Sequence, residues 1–191
     1  ISEFPSVLIS VDTFRSHVAE PCIHHGACII NDIAAGEMDA TMFSTVAKLQ
    51  VPYIMMHMKG TPQNMQQNPT YENVVNDLLY YFSKKIAELH KLGVNDIITD
   101  VGFGFGKTTE HNYQLLKHLA LFKNLETPLI AGLSRKGMLY KPLGITAESA
   151  LNATTAANTI ALLNGASILR VHDVKEAVEA IKIVALLNNK L

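Results

Sequence analysis

Short apolar runs, each ending in a polar or charged residue and each followed by a stretch of helical period, recur along this chain. Residues 7–11 (Val-Leu-Ile-Ser-Val) form the first run and stop at Asp12 and Thr13. A helical stretch to Gly26 follows, with Val18, Cys22 and Ile23 on one side and Pro21 inside, where it removes a backbone donor and kinks or confines the helix. Residues 27–30 form the second run and end at Asn31 and Asp32. After Gly36, Met38, Met42, Val46 and Leu49 recur at helical intervals, the stripe of a core-packed helix. Residues 53–56 form the third run, which ends in His57-Met58-Lys59-Gly60 before a loop rich in Gln, Asn and Pro.

Thr70 is placed to cap a long helix that runs to Leu92, with Gly93 in the usual closing position. Its Val75, Leu79, Phe82, Ile86 and Leu89 make one apolar stripe. Residues 95–100 are the fourth run and lead into TDVGFGFGKT at residues 99–108, followed by a helix over about residues 110–122. The fifth run, residues 128–131, ends in Gly132-Leu133-Ser134-Arg135-Lys136. A helix over about residues 146–163 stops at Asn164-Gly165, and the sixth run, residues 167–169, delivers Arg170-Val171-His172. Asp173 and Glu176 have the spacing of a capping box for the last helix.

Strands apolar along their length, alternating with helices, imply a parallel sheet covered by helices. Ligands in such α/β folds bind at the carboxyl ends of the strands, in barrels and open sheets alike. Asp12, Asn31, His57, Asp100, residues 134–136, Arg170 and His172 therefore share one rim. Six strand–helix units are present, whereas a closed (β/α)8 barrel has eight and about 250 residues. An open sheet can stop at six, so periodicity leaves both architectures standing.

The 191 residues suffice for a single domain, residues 1–191, with a sizeable core. With 48% hydrophobic and 17% charged residues, the composition is that of a folding chain. A net charge of -1 gives no broad field for nucleic acid or an anionic membrane, and no apolar run approaches the roughly 20 residues that span a bilayer. Cys22 and Cys28 match no zinc or redox spacing; they read as small buried apolar residues and point to a reducing cytoplasm. The chain opens on Ile1 rather than methionine, a hint that residues precede it.

The richest chemistry lies at residues 99–108. Glycines let a backbone approach a ligand closely, phenylalanines offer flat faces, and Asp100 offers an acceptor. That mixture suits a planar ring with polar edges. A phosphate loop would need its first glycine at position 101, which is Val101, and the G-x-G-x-G spacing of Gly102, Gly104 and Gly106 is not the dinucleotide fingerprint. A plain turn without a ligand is the other reading. Asp12, Asn31 and Asp100 can read the donor edge of a heterocycle, and Lys136 can hydrogen-bond it from the other side. Arg170 can stack on a ring while holding an anion, and His172, two residues on, points to the same strand face. Against this, Asp12 also fits a helix cap, Asn31 a turn, and residues 134–136 a solvated loop. His57 reads as structural, and His17, His24, His25, His90, His111 and His118 as helix-surface or packing residues. No histidine or carboxylate spacing argues for a tight metal cage.

In order and spacing, Val11-Asp12-Thr13, Ile30-Asn31-Asp32-Ile33, Met56-His57-Met58-Lys59-Gly60, residues 100–107, Ser134-Arg135-Lys136 and Arg170-Val171-His172 resemble the dihydropteroate synthase family across essentially the whole chain. The resemblance implies a (β/α)8 TIM barrel of the pterin-binding type, represented here by about six C-terminal strand–helix units. It implies a transferase that joins a dihydropterin pyrophosphate to p-aminobenzoate, giving dihydropteroate and pyrophosphate, with Mg2+ and with sulfonamides as inhibitors. By the same resemblance Asp12, Asn31, Asp100 and Lys136 hold the pterin, and Met56 packs in its pocket. Arg170 and His172 bind the pyrophosphate, while Phe105, Ser134 and Lys136 border the aminobenzoate and sulfonamide site. Asp100 and Lys136 are then the catalytic pair, the carboxylate facing charge that develops on the pterin methylene. A homodimer through the later helices is also implied.

Three departures stand out. Asp100-Val101-Gly102 replaces the frequent Asp-Pro-Gly, and Gly137 replaces a frequent serine, removing one hydroxyl donor for the aminobenzoate carboxylate. The family's first two strands, which bring the metal-linked asparagine and a covering loop, have no counterpart in these residues. Two other readings follow, a corrinoid-type methyltransferase domain of the same fold and a pterin-binding fragment without turnover. The first has no use for the arylamine contacts of Phe105 and residues 134–136.

Overall fold

The computed structural model describes residues 3–4, 6–61, 63–65 and 67–188. Its framework is one sheet of six parallel strands in sequential order: β1 (Ser10–Asp12), β2 (Ile29–Asp32), β3 (Tyr53–Met56), β4 (Ile97–Asp100), β5 (Leu129–Ala131) and β6 (Ile168–Leu169). Helices α1 (Ser16–His24), α2 (Met42–Leu49), α3 (Val74–Lys91), α4 (Thr109–Lys117), α5 (Gly137–Tyr140), α6 (Leu151–Leu163) and α7 (Val174–Leu187) fill the connections. Among the described residues no helix is long and apolar enough to cross a membrane.

Parallel register sorts the strand residues onto two faces, because side chains alternate with a period of two. Ile30, Tyr53 and Ile97 lie in one row, and Asp32, Met55, Thr99 and Leu129 in the next row on the same side. Most of these join the main hydrophobic cluster with the helices. Asp12 and Asn31 face the opposite way with Ile54, as do Met56, Asp100 and Ile130. The sheet is strongly curled. Flat, β2 and β6 would stand about 19 Å apart, four strand spacings; yet Arg170, one residue past β6, donates to Asn31 Oδ1 in β2 at 2.6 Å. The six strand–helix units are thus a curled half-barrel, with β1 and β6 at its edges among the described residues.

Several boundaries differ from the sequence expectation, each for a local reason. Asn73, not Thr70, caps α3, its Oδ1 accepting from the amides of Val75 and Asn76 at 3.1 Å each. Met38 falls outside α2 and is exposed. The helix expected over residues 110–122 ends at Lys117 and tightens into a 3-10 run, Leu119–Leu125, whose three-residue period points Leu119 and Phe122 into the core together. Helix α6 starts at Leu151 rather than near residue 146, because the carbonyls of Ala147 and Glu148 are taken by the Arg135 guanidinium. The expected Asp173 capping box is absent: both carboxylate oxygens go to Arg135, at 2.8 and 2.9 Å. Thr108 and His111 form a capping box at α4 instead. Cys22 and Cys28 are half-buried free thiols rather than fully buried ones.

Phe82 of α3 is fully buried and meets Phe122 edge-on, with ring centroids 6.3 Å apart. Phe82→Ala leaves a cavity where the surrounding rings are held by three elements, and urea unfolding is expected to show a loss of about 3–5 kcal/mol. A loss under about 1 kcal/mol would mean that the helix layer repacks freely.

Candidate functional site

Polar side chains converge at the carboxyl ends of the strands on the concave face. Arg170 is the link. Its Nη2 donates to Asn31 Oδ1 at 2.6 Å, and its Nη1 lies 3.9 Å from Asp100 Oδ2. Asn31 is buried, and its Nδ2 has no hydrogen-bond partner among the described residues. That leaves a buried donor beside two buried acceptors, an unusual residue of polarity unless a ligand completes it. Asp100, also buried, accepts from the Gly102 amide at 2.8 Å through Oδ1, so the loop that follows orients the carboxylate.

Lys136 enters from the β5–α5 connection. Its ammonium donates to the Phe103 carbonyl and sits 4.8 Å from the centroid of the Phe105 ring. Burial lowers its pKa to about 8, with Asp100 opposing the shift and Arg170 adding to it. Lys136 and Arg170 both border Gly132: a Cβ there would make ordinary contact with Lys136 Nζ at 3.9 Å and Arg170 Cβ at 3.8 Å. Met56, buried on the same face, packs with Ala34 and Met58, and half-buried Phe14, Met65 and Phe105 pack against them. The result is an apolar wall beside a polar edge and two cations.

Ser134 and His172 pair with each other. His172 Nδ1 stands 2.9 Å from Ser134 Oγ, and the His172 amide donates to the same oxygen at 3.3 Å. Arg135 turns away from the site. It adopts a left-handed φ of 55°, and its bidentate ion pair with Asp173 ties the residues around Lys136 to those around His172. Asp12 lies beside Asn31 in register but is exposed. The structure thus gathers Asn31, Met56, Asp100, Phe105, Lys136 and Arg170, with Ser134 and His172 next to them and Asp12 at the margin.

The glycine-rich loop does something the sequence did not convey. Gly102 has φ of 69°, and a Cβ on it would strike the His57 carbonyl; at Gly106, φ 62°, it would strike the Lys59 carbonyl. These glycines serve contact between two strand exits rather than approach to a ligand. Of the two phenylalanines, Phe103 is fully buried in the main cluster and only Phe105 borders the site. Asn112 of α4 accepts from the Gly104 amide at 2.7 Å. Lys107 is buried beneath the loop and meets His57 Nδ1 at 3.1 Å. Asp32, the neighbour of Asn31, faces the helices and accepts from Tyr53 Oη, at 2.7 Å, and from the Ala34 and Gly36 amides at 2.8 Å. Burial still raises its pKa against those bonds. Lys107, Asn112 and Asp32 were missed by sequence reasoning; most of their partners are backbone amides and carbonyls, which period and motif do not encode.

His57 is buried, edge-on to the Tyr81 ring with centroids 4.8 Å apart. Burial, then the charge of Lys107, pushes its pKa down to about 2, so it is neutral in the fold. An unfolded imidazole titrates near 6.5, so between these values the unfolded chain holds the extra proton. Stability through this group is complete above about pH 6.5 and falls as pH falls. Acidification to pH 4 is expected to remove about 3 kcal/mol by this route. Urea titrations of the parent and His57→Gln across that range give the check; equal slopes in both would contradict it.

Comparison with known proteins agrees with this geometry. The family model described as pterin binding enzyme matches residues 1–172. The chain is 40% identical over 180 residues to the dihydropteroate synthase of Escherichia coli, covering 93% of this chain and 64% of that protein. It therefore spans a little under two thirds of the length of that curated relative. Among solved structures, the Yersinia pestis dihydropteroate synthase in a sulfonamide drug complex superposes with a TM-score of 0.93 at 39% identity, covering 97% of this chain and 68% of that one. The Xanthomonas albilineans enzyme in complex with 7,8-dihydropteroate gives 0.87 at 34% identity, covering 95% and 67%. A polar rim of this make-up on a six-stranded parallel half-barrel, matched over nearly its whole length, places the chain in the pterin-binding enzyme family.

Proposed function

We propose that this chain carries the substrate-binding rim of a dihydropteroate synthase, which condenses 6-hydroxymethyl-7,8-dihydropterin pyrophosphate with p-aminobenzoate. The observation that carries the reading is the Arg170 bridge between Asn31 and Asp100, with Lys136 beside it. A dihydropterin offers ring N–H and amino donors with carbonyl and ring-nitrogen acceptors along one edge. Asp100 and Asp12 supply acceptors for the donors, while Asn31 Nδ2 and Lys136 supply donors for the acceptors. Met56 packs against the ring face.

In the reaction the bond between the pterin methylene carbon and the pyrophosphate oxygen breaks, and its electron pair leaves with the pyrophosphate. The amine lone pair of aminobenzoate forms the new C–N bond, and the amine proton passes to solvent or to the departing anion. Arg170 neutralises charge on that anion and His172 offers it a hydrogen bond, a preorganised corner that lowers the barrier. The Ser134 bond fixes Nδ1 of His172 and leaves Nε2 to meet an oxyanion. Asp100 stabilises positive charge on the methylene. The arylamine is nucleophilic as it stands, so Phe105 and Lys136 contribute chiefly by positioning it.

Gly137 is the departure with most effect. A Cβ there would lie 3.3 Å from Lys141 Cε, so the lysine stem folds over the glycine. Helix α5 is a single turn and adds little aligned dipole, so we assign the aminobenzoate carboxylate to local N–H groups and the Lys141 charge. The Yersinia pestis relative binds a sulfonamide, and we extend that to the same border of this site. Mg2+ belongs to the proposed reaction. Among the described residues no three His, Cys, Asp or Glu side chains gather around one point, and no step above goes through the ion. Exposed Val174, Val178 and Ile181 recur along α7 at helical spacing, which supports a homodimer through that helix. Free thiols at Cys22 and Cys28 support a reducing, cytoplasmic setting.

The direct test is pyrophosphate release from the purified protein given both substrates. Release that requires p-aminobenzoate is expected; pterin binding without release would leave a binding protein. Lys136→Ala is expected to weaken pterin and aminobenzoate binding by about 1.5–3 kcal/mol each, as for a charged hydrogen bond. Arg170→Ala should weaken the pyrophosphate ester more than the bare hydroxymethyl pterin. Calorimetry separates these, and equal losses for ester and alcohol would remove Arg170 from the anion site.

A further inference from the structure

Lys107 closes the glycine-rich loop, yet no step of the proposed reaction uses it. Only 3% of it is exposed, which is rare for a lysine. Its Nζ donates to the carbonyls of His57 at 3.1 Å, Gly102 at 3.0 Å and Phe105 at 2.9 Å, and meets Nδ1 of the neutral His57 ring at 3.1 Å. An ammonium has three N–H groups to serve such a cage of acceptors, whereas a neutral amine has two. Burial opposes the charge and brings the pKa down to about 7, with the Asp100 carboxylate acting the other way.

The partners decide what this arrangement does. One carbonyl belongs to the exit of β3 and two belong to the loop after β4. At one end of that loop the Gly102 amide orients Asp100; at the other, the Phe105 ring lies 4.8 Å from Lys136 Nζ. A loop with positive φ at Gly102, Gly104 and Gly106 has little stiffness of its own. Tyr71 Oη, which donates to the Gly106 carbonyl at 2.7 Å, and Asn112 hold its far side. On the near side Lys107 gathers three carbonyls, beside the single Lys136 bond to the Phe103 carbonyl and the turn in which the Phe105 amide donates to the Gly102 carbonyl at 3.1 Å.

We propose that Lys107 is a positioning residue, an internal clip that holds the loop of residues 102–105 against the exit of β3 and so sets Asp100 and Phe105 for the two substrates. The substrates named for those side chains rest on the transferase reading above. The clip itself does not. Asp100 and Phe105 belong to one loop, so a change that frees the loop disturbs the groups facing both substrates together.

The test compares Lys107→Met, which keeps the stem and removes the donors, with the parent protein. Amide hydrogen exchange at residues 102–106 is expected to quicken by about 100-fold, with the α3 amides unchanged. The aminobenzoate KM is expected to rise about tenfold, but by less than about threefold when the same change is made in a Phe105→Ala background, because the clip acts through that ring's loop. Unchanged exchange, or KM effects that simply multiply, would overturn the proposal. Lys107→Gln, which keeps two N–H donors, carries the same comparison if the methionine variant does not fold. In the parent the loop amides must already exchange slowly, and exchange at open-loop rates there overturns the clip without any variant. If the parent releases no pyrophosphate, the transferase reading fails while the exchange result still decides the clip.

Discussion

Everything at the rim depends on unslipped parallel register. Side chains on a strand alternate between faces, so Asn31, Met56 and Asp100 reach the concave side only because their neighbours Ile30, Met55 and Thr99 are turned to the helices. A slip of one residue in any strand would send its carboxylate or amide into the hydrophobic layer and bring an apolar residue to the rim. Burial of Tyr53, Met55, Ile97 and Leu129 against the helices is what forbids the slip. The chemistry of one face is held in place by the packing of the other.

A second layer of control comes from buried and half-buried polar groups that act behind the residues gathered at the site. Asp32 fixes the turn after β2 through two amides and ties it to Tyr53 of β3. Arg135 joins the β5 exit to the start of α7 through Asp173 and also holds the carbonyls ahead of α6. Lys107 does the same between β3 and β4. Each is costly to bury and each is surrounded by partners, which is the condition under which such groups specify one geometry. Together they join strand exits that backbone pairing leaves loose.

Much of this was legible in the sequence. The six runs ending at Asp12, Asn31, His57, Asp100, Gly132 and Arg170 announce a parallel sheet with one polar rim, and six strands form there, although the first is only Ser10–Asp12 and leaves Val7 and Leu8 exposed ahead of it. The rim residues were legible because a polar group at the end of an apolar strand has few other uses. What escaped were contacts between remote residues. The spacing of Asp173 and Glu176 could not reveal that Arg135 takes the capping carboxylate. Glycines at 102 and 106 looked like room for a ligand and are room for the neighbouring chain. Curl was equally hidden, since six units suit an open sheet or part of a barrel until Arg170 is seen to reach Asn31.

That reach has a consequence for recognition. Arg170 already holds Asn31 Oδ1 and leans on Asp100, so a ligand that takes those oxygens displaces the guanidinium, while the unpartnered Asn31 Nδ2 offers it a new contact. For the displaced oxygens the net gain is a difference between two similar contacts. Departure is eased by the same symmetry, because the guanidinium returns to the amide as the guest withdraws. A cleft built in this way trades internal contacts for those of its guest.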